Sequence, residues 1–393
     1  MRRESISYVV NDEAARTCML RHQKVDPVEA IPNQNRNRAK MSVPPALRTR
    51  VIFALLLGVV AALYAYDTHR SFLQIGQSPD SLFLWRGARI LLGGGDPYNF
   101  TTWRTMPVGE TDIGAWRNVI EPLYYPLPAL LIWIPFSLGS FLVGSAAFEG
   151  IGAALFVFAI SRAGLHRIWL CGSVGFIMAL RFGQWSTWLT AAALLPMLSF
   201  LLPAKPNLGL PLVLAKTSRA MVLGSLAILV LSLIVMPRWP LGWYATVTGP
   251  FTQTVPHPAP VTTFGGVGAL VLVAILRWRR PEARLLMLMA CVPQLPFWAD
   301  QLPLATIAET RREVIWSMLG GHLCFIAWFL FAPKVIYYVP VMQPYALFGT
   351  YVPALIMVLR RPNEGDSPEW FDALLIRLPA SIRGSRATAT QLT

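Results

Sequence analysis

Long apolar runs separated by short polar segments constrain the fold of this chain more than any other feature. Residues 141 to 160 and 219 to 236 are two such runs. A helix needs about 20 apolar residues to cross about 30 Å of hydrocarbon, and backbone groups in lipid must find their partners within helices or closed barrels. Only 14% of the residues are charged, against about 25% in soluble proteins. We therefore predict an all-α, polytopic transmembrane helical bundle of about nine to eleven spans.

The charge pattern is that of a membrane protein rather than of a nucleic-acid-binding protein. The formal net charge is +14, but the arginines are spread through short loops and tails. Such a distribution is typical of cytoplasmic loops, which carry an excess of Lys and Arg. We expect membrane lipids as partners and no nucleic acid. The four cysteines, Cys18, Cys171, Cys291 and Cys324, show no metal-ligand spacing and predict neither a disulfide framework nor a zinc site.

Composition divides the chain into three parts. Residues 1 to 49 form a polar cytoplasmic tail, or, if translation starts at Met41, include an extension that the protein lacks. Residues 50 to 360 form the membrane domain, whose first span, residues 51 to 66, leads into a long outer loop over residues 67 to 123. Residues 361 to 393 form a C-terminal tail.

The strongest cytoplasmic marker is the run RWRRPEAR, residues 277 to 284. If this run lies inside, counting spans backwards places Gln184 outside and Lys205 inside. Counting forwards places Asp300 outside and the C-terminal tail outside too. That last placement violates the positive-inside tendency, because Arg360 and Arg361 begin the tail.

Residues 76 to 98, GQSPDSLFLWRGARILLGGGDPY, form the longest polar-patterned stretch between apolar runs. Ser78 and Pro79 make a turn, Asp80 opens an apolar run that carries Arg86 and Arg89, and three glycines end it. We predict an amphipathic helix at the membrane interface, with Asp80 in its first turn, where a carboxylate complements the helix amino terminus.

Two features of the next segment bear on topology and function. Residues 124 to 140 carry three prolines and predict a broken or half-inserted helix, with Tyr124 and Tyr125 in the interfacial aromatic belt. Glu149 lies in the middle of the following span. A carboxylate there is a functional hypothesis by default, and the alternative is a buried acid that is paired, near Arg181, or protonated.

The order of several short motifs resembles a known family. An early Asp in an outer loop precedes Gly-Gly-Asp-Pro-Tyr, Tyr-Tyr-Pro-Leu, Gly-Gln at 183 and 184, and Lys-Pro at 205 and 206. Together they resemble the C-type membrane glycosyltransferases, and more narrowly glycosyltransferase family 87, over roughly residues 50 to 215. The chain departs from the pattern in having one helix between Gln184 and Lys205, where many members have two.

The resemblance implies transfer of a sugar from a polyprenyl-phosphate carrier to an acceptor hydroxyl on a glycolipid or polysaccharide, at the outer face of the bacterial cytoplasmic membrane. It implies an inverting hexosyl- or pentosyltransferase in which Asp80 is the general base. The donor is a substrate, no cofactor is expected, no metal ligands are assigned and the metal requirement is open.

Cationic and polar groups near the departing phosphate would bind substrate, and each has a simpler alternative role. Arg86 and Arg89 either bind phosphate or reach lipid headgroups, Gln184 lines the cavity or bonds across helices, and His257 is a site residue or a solvated histidine. Asp96 and Tyr98 are interpreted as turn and scaffold residues. The full set of predicted substrate-binding residues is Arg86, Arg89, Arg181, Gln184, His257 and Asp300.

Two other classes of function fit the same sequence. A transporter or flippase for a lipid-linked saccharide would use Glu149 for coupling. A member that has lost catalysis would act as a scaffold. Neither needs a nucleotide-binding motif, and the sequence contains none.

Overall fold

The computed structural model describes residues 46 to 105, 122 to 249, 258 to 294, 298 to 332 and 339 to 365. These residues form helices joined by turns. The α-helices are α1 Leu47–Gln74, α2 Asp80–Leu92, α3 Phe100–Thr105, α4 Leu127–Ser137, α5 Phe141–Ile160, α6 Val174–Phe182, α7 Ser186–Leu194, α8 Pro206–Ala215, α9 Arg219–Val235, α10 Trp239–Val247, α11 Pro281–Cys291, α12 Leu302–Ala305, α13 Arg311–Phe331, α14 Val339–Ala346 and α15 Val352–Leu359. Segments of 3₁₀ helix cover Ser161–Ala163, Leu165–Gly172, Pro196–Ala204 and Pro260–Arg277, and Leu347–Tyr351 is π-helical.

The predicted all-α polytopic bundle is confirmed, and its described residues contain fewer candidate spans than the nine to eleven expected. Five helices among the described residues are long and apolar enough to cross a membrane, or up to seven if each of two bent pairs counts as one span. The difference arises because several apolar stretches form short helices that begin at proline, such as α4, which follows Pro126, and α8, which starts at Pro206. Helix α9 buries only Met221, Ile228 and Ser232, and most of its remaining apolar side chains are exposed, as lipid contact requires.

The first span is longer than predicted, because α1 continues for 28 residues through Asp67 and ends at Gln74. It packs against α5 through small residues. A Cβ atom on Gly58 would lie 2.9 Å from the Cβ of Ala154, and one on Gly150 would lie 2.8 Å from the Cβ of Ala62. Close backbone approach at small residues is the usual way in which membrane helices associate.

Helix α4 forms the short, proline-flanked helix that residues 124 to 140 predict. It has 11 residues, with Pro126 before its first turn and Pro128 within that turn. Its Trp133 packs on Phe148 of α5 with ring centroids 4.6 Å apart, and Trp185 and Trp188 lie on the same phenyl ring at 5.0 Å. These rings are buried. They give the bundle an aromatic core between α4, α5 and α7.

Arginine contacts bring distant segments of the chain to one end of the bundle, which we call the basic end. Arg280 pairs with Glu309 at 3.1 Å, and Arg361 pairs with Glu309 at 2.9 Å and with Glu313 at 2.8 Å. The guanidinium of Arg277 donates to the Leu359 carbonyl at 3.0 Å. The run at 277 to 284 and the pair Arg360 and Arg361 therefore lie together, so the prediction that they lie on opposite sides is wrong.

Other segments join the same end. Arg50 Nη2 donates to the Phe158 carbonyl at 2.8 Å, and Arg167 Nη1 donates to the Thr306 carbonyl at 3.2 Å. Arg284 Nε donates to the Ala215 carbonyl at 2.8 Å. The start of α1, the end of α5 and the end of α8 are thus level with the arginine-rich run. The arginines of these segments therefore lie on one side of the bundle, in agreement with the positive-inside tendency.

The inside position predicted for Lys205 is also wrong, because Lys205 bonds directly to Gln184 at 2.7 Å. Helix α7 runs from Gln184 towards the basic end, where Arg162 Nη1 meets the Leu194 carbonyl at 3.5 Å. Segment Pro196–Ala204 then returns the chain to Lys205. Because the excursion begins at Gln184 and ends at Lys205, and these two residues bond to each other, it is not a net crossing of the membrane.

Cysteine labelling tests this topology. We expect Arg360→Cys and Arg311→Cys to react with a membrane-impermeant maleimide from the same side of the membrane, because both positions are exposed at the basic end. Gln77→Cys, beyond the far end of α1, should react from the other side. The background variant carries serine at Cys18, Cys171, Cys291 and Cys324. Labelling of Arg360→Cys and Gln77→Cys from the same side of the membrane would contradict this topology.

Candidate active site

The predicted helix after Pro79 forms and begins at Asp80. Pro79 is extended, with φ −70° and ψ 154°, so Asp80 occupies the first turn of α2. The helix ends at Gly93, and Gly94 follows with a positive φ of 76°, a conformation that glycine adopts without strain. The sequence signals of turn, carboxylate and glycines thus set both ends of α2.

Protein surrounds α2 on most sides, and its predicted position at the membrane interface stays a prediction. Leu84, Trp85 and Ala88 are fully or almost fully buried, and Arg86 is only 4% exposed. Arg86 lies inside because its Nε and Nη2 atoms both donate to the Trp103 carbonyl, at 2.9 and 2.6 Å. The helix is therefore a packed element of the bundle.

Asp80 accepts two hydrogen bonds through one carboxylate oxygen. Gln184 Nε2 lies 2.6 Å from Asp80 Oδ2, and the Tyr125 hydroxyl donates to the same atom at 3.1 Å. The described part of the chain gives Asp80 Oδ1 no hydrogen bond. Asp80 is half-buried. One of its oxygens is thus fixed by protein, and the other remains available to a molecule that reaches the site.

The contacts continue from Gln184 to a second carboxylate. Lys205 Nζ donates to Gln184 Oε1 at 2.7 Å and to Asp300 Oδ1 at 2.6 Å. Asn207 Nδ2 lies 3.5 Å from Asp300 Oδ2. We call Asp80, Tyr125, Gln184, Lys205, Asn207 and Asp300 the Asp80 cluster. It holds two acids and one base, so its formal charge is −1 when all three are ionised.

The surroundings of Asp80 shift its ionisation in opposing directions. Burial raises the pKa of the Asp80 carboxyl above the ordinary aspartate value, and the nearby Asp300 charge adds to the rise. The charge of Lys205 and the hydrogen bonds from Gln184 and Tyr125 lower the same pKa and offset part of the rise. Burial and the Asp80 charge raise the pKa of the Tyr125 hydroxyl well above its usual value, so Tyr125 remains a donor.

The two carboxylates of the cluster have different environments. Asp300 is 1% exposed, and both of its oxygens have partners in the cluster. Asp80 is more accessible, and its Oδ1 atom accepts no hydrogen bond from the residues that the structure describes. A group that exchanges protons with a bound molecule needs access and an unoccupied oxygen. Asp80 therefore meets the requirements of a general base, whereas Asp300 meets those of a fixed counter-ion to Lys205.

No family model, no curated protein and no solved structure matches this chain. The candidate site therefore depends on its own residues and contacts. Among the described residues, no group of three or more His, Cys, Asp or Glu side chains could hold a metal ion.

Three other predicted site residues, Arg86, Arg89 and Arg181, make contacts outside the Asp80 cluster. Arg89 Nη1 donates to the Ser137 carbonyl at 2.9 Å, and Arg86 is held by Trp103 as described. Arg181 is exposed, and its guanidinium lies 5.0 Å from the ring centroid of Phe72. His257 lies outside the described residues. Substrate binding by these four residues stays a prediction.

Asp96 and Tyr98 have the contacts that turn and scaffold residues make. Asp96 Oδ1 accepts a hydrogen bond from the Tyr98 amide at 2.8 Å, which closes a local turn. The Tyr98 hydroxyl donates to the Tyr125 carbonyl at 3.0 Å. Tyr98 thereby supports the backbone of a residue that holds Asp80.

Sequence reasoning missed three members of the cluster: Tyr125, Lys205 and Asn207. Tyr125 is only 9% exposed and bonds Asp80, so its placement in the interfacial aromatic belt is wrong. The sequence feature that could have identified Tyr125 as a site residue is its position in the Tyr-Tyr-Pro-Leu motif. Lys205 belonged to the Lys-Pro motif but was placed on the wrong side. No sequence signal pointed to Asn207.

Proposed function

We propose that this protein is a membrane glycosyltransferase that moves a sugar from a polyprenyl-phosphate carrier to an acceptor hydroxyl, with Asp80 as general base. The observation that carries the proposal is the free Oδ1 atom of a half-buried Asp80 whose other oxygen is held by Gln184 and Tyr125. A carboxylate fixed in this way has one direction from which it accepts a proton.

The reaction assigned to this site has one bond forming and one breaking. The acceptor oxygen attacks the anomeric carbon, its proton passes to Asp80 Oδ1, and the carbon–oxygen bond to the polyprenyl phosphate breaks. The electron pair leaves with the phosphate. Attack from the face opposite the leaving group inverts the anomeric carbon. A cation stabilises the departing phosphate, and exposed Arg181, three residues before Gln184, is a candidate.

The position of the cluster supports an outer-face reaction. Arg50, near the start of α1, lies at the basic end. His69, which connects through Ser145 to Ser81 beside Asp80, lies 19 residues further along the same helix, about 28 Å away along its axis. If the basic end is cytoplasmic, as the positive-inside tendency indicates, the cluster lies towards the outer face. A lipid-linked donor and a glycolipid or polysaccharide acceptor of a bacterial cytoplasmic membrane would meet there.

The pH dependence of transfer follows from the raised pKa of Asp80. A general base must be ionised, so transfer is present above this pKa and is lost as the pH falls through it. Since burial raises the pKa, we expect the acid limb of the rate profile at a higher pH than an ordinary aspartate would give. The Tyr125→Phe variant lacks a hydrogen bond that lowers the pKa of Asp80, so the acid limb of its rate profile should lie at a still higher pH than that of the wild-type protein. An unchanged limb in Tyr125→Phe would contradict the assignment of this limb to Asp80.

A second candidate function is transport of a lipid-linked saccharide, and Glu149 is the observation that favours it. This side chain is fully buried within a candidate span, and neither carboxylate oxygen has a hydrogen-bond partner in the described part of the chain. The predicted pairing near Arg181 is not seen. An acid buried in this way is costly to ionise and is a possible carrier of protons.

Two measurements test the proposed function. Mass spectrometry of lipids that co-purify with the protein should find a polyprenyl-phosphate sugar. Proteoliposomes supplied with such donors should form a glycosylated acceptor, and Glu149→Gln should retain this activity. Movement of the lipid-linked saccharide without sugar transfer, abolished in Glu149→Gln, would favour the transporter. If the protein shows neither sugar transfer nor movement of the lipid-linked saccharide, the remaining hypothesis is the scaffold function.

A further inference from the structure

A buried chain of hydrogen bonds lies directly beside Asp80. His69 of α1 is fully buried, and its Nδ1 atom lies 2.7 Å from Ser145 Oγ of α5. Ser145 Oγ lies 2.9 Å from Ser81 Oγ of α2, the residue after Asp80. Ser81 and Ser145 are also fully buried. Helices α1, α2 and α5 therefore meet at this chain, one residue from the proposed base.

The direction of the chain follows from the atoms at its end. His69 Nε2 lies 3.1 Å from the Leu180 carbonyl, which only accepts, so Nε2 carries the proton. In a neutral ring Nδ1 is then an acceptor, and the Ser145 hydroxyl donates to it. Ser145 Oγ in turn accepts from Ser81. The donors thus run from Ser81 to Ser145 to His69 to Leu180, and every hydrogen in the chain is used.

The first turn of α2 is seated against the residues around Gln184. Gly183 has φ 67°, and a Cβ atom placed on it would lie 2.4 Å from Ser81 Oγ. A side chain at position 183 would therefore displace Ser81. The neighbouring pair, Asp80 and Gln184, is joined at 2.6 Å. Two consecutive residues of α2 are thus docked on two consecutive residues after α6.

We propose that the chain Ser81, Ser145 and His69 is a positioning device that holds the first turn of α2 against Gly183 and Gln184, and so fixes Asp80. The buried hydroxyls and imidazole have no contact with Asp80 Oδ1 in the described structure. Their effect on Asp80 passes through the backbone of α2. This is a reason for an imidazole to be buried in a candidate span, where polar groups are costly unless paired.

Infrared titration of the Asp80 carboxyl tests the inference without any enzyme assay. The difference between the wild-type protein and Asp80→Asn assigns the carboxyl band. In Ser145→Ala we expect the pKa of Asp80 to rise, because a loosened α2 lengthens the bond from Gln184 that lowers it. His69→Gln should act in the same direction. The matched control is Ser71→Ala, which removes an exposed hydroxyl bonded to the Asp67 carbonyl of the same helix α1.

Thermal stability separates positioning from folding. If Ser145→Ala melts within a few degrees of wild type and the Asp80 titration is unchanged, the inference is overturned. If Ser145→Ala melts much earlier, Ser145→Thr, which keeps the hydroxyl, should restore both the melting temperature and the titration. Failure of Ser145→Thr to restore the titration of a stable protein would also overturn the inference.

The kinetic consequence rests on the proposed function, whereas the infrared result does not. If transfer is found, Ser145→Ala should lower kcat about 10- to 100-fold and leave the acceptor KM near its wild-type value, since misplacement of a catalytic group by about 1 Å has effects of this size. If the wild-type protein transfers no sugar, the proposed function fails. The titration still decides the positioning role.

Discussion

Asp80→Asn is expected to lower the rate of sugar transfer by about 10²- to 10⁴-fold, the usual contribution of a general base. Asparagine keeps the shape of aspartate and the hydrogen bond to Tyr125, but its amide accepts no proton from the acceptor hydroxyl. The measurement is transfer in proteoliposomes, with binding of the lipid-linked donor recorded in parallel. We expect donor binding to persist, because the substitution removes the proton acceptor but keeps the shape of the side chain.

Asp96→Asn is the matched control for this prediction. Asp96 lies shortly after the same helix, and its carboxylate accepts from the Tyr98 amide rather than facing the cluster. Asparagine accepts the same bond and should leave transfer near the wild-type rate. Wild-type transfer by Asp80→Asn would remove Asp80 from the role of base. Equal losses in both variants would indicate damage to the fold rather than to the chemistry.

Lys205→Met is expected to destabilise the protein by about 3 to 5 kcal/mol and to abolish most transfer. The Lys205 ammonium lies 2.6 Å from Asp300, and the two side chains are only 8% and 1% exposed. Removing one partner of a buried pair leaves the other charge without compensation. The variant should melt well below the wild-type protein. The exposed lysine at the basic end, changed as Lys216→Met, should have little effect.

The double variant Lys205→Met with Asp300→Leu separates stability from function. Replacing a buried ion pair by apolar residues of similar volume is often neutral or stabilising, so most of the lost stability should return. Transfer should remain low, because the charge that lowers the pKa of Asp80 and the bond to Gln184 are still missing. Recovery of transfer together with stability would show that the pair only supports the fold.

Local patterns predicted the elements around the site well, because they depend on neighbouring residues. Pro79 and Asp80 set the start of α2, and the glycines after Leu92 set its end. The prolines around residues 126 to 135 indicated the short helix α4. Hydropathy alone indicated the all-α membrane bundle.

Topology was less predictable, because hydropathy does not reveal whether an apolar stretch crosses the membrane or turns back within it. Residues 189 to 202 are apolar enough to be counted as a span, yet α7 and the segment Pro196–Ala204 go towards the basic end and return. That miscount placed Lys205 on the wrong side. The same span-counting approach separated Arg361 from Arg280, although both pair with Glu309.

The composition of the site needed tertiary structure for a related reason. Asp80, Gln184 and Asp300 could each be proposed from sequence, since a carboxylate or amide in an apolar context is conspicuous. Their connection through Lys205 depends on four separated segments meeting in space. The contact of Arg86 also depends on tertiary structure, because its guanidinium donates to a backbone carbonyl of α3. No local pattern reveals such a partner.

The short helices have an electrostatic consequence at the Asp80 cluster. Helix α2 begins at Asp80, α4 begins two residues after Tyr125, α7 two residues after Gln184 and α8 directly after Lys205. The amino end of each helix carries a partial positive charge, equivalent to about half an elementary charge. Four such ends converge on a cluster whose side chains sum to −1. The bundle therefore supplies a positive field from its backbone, one that favours anions without requiring a further arginine.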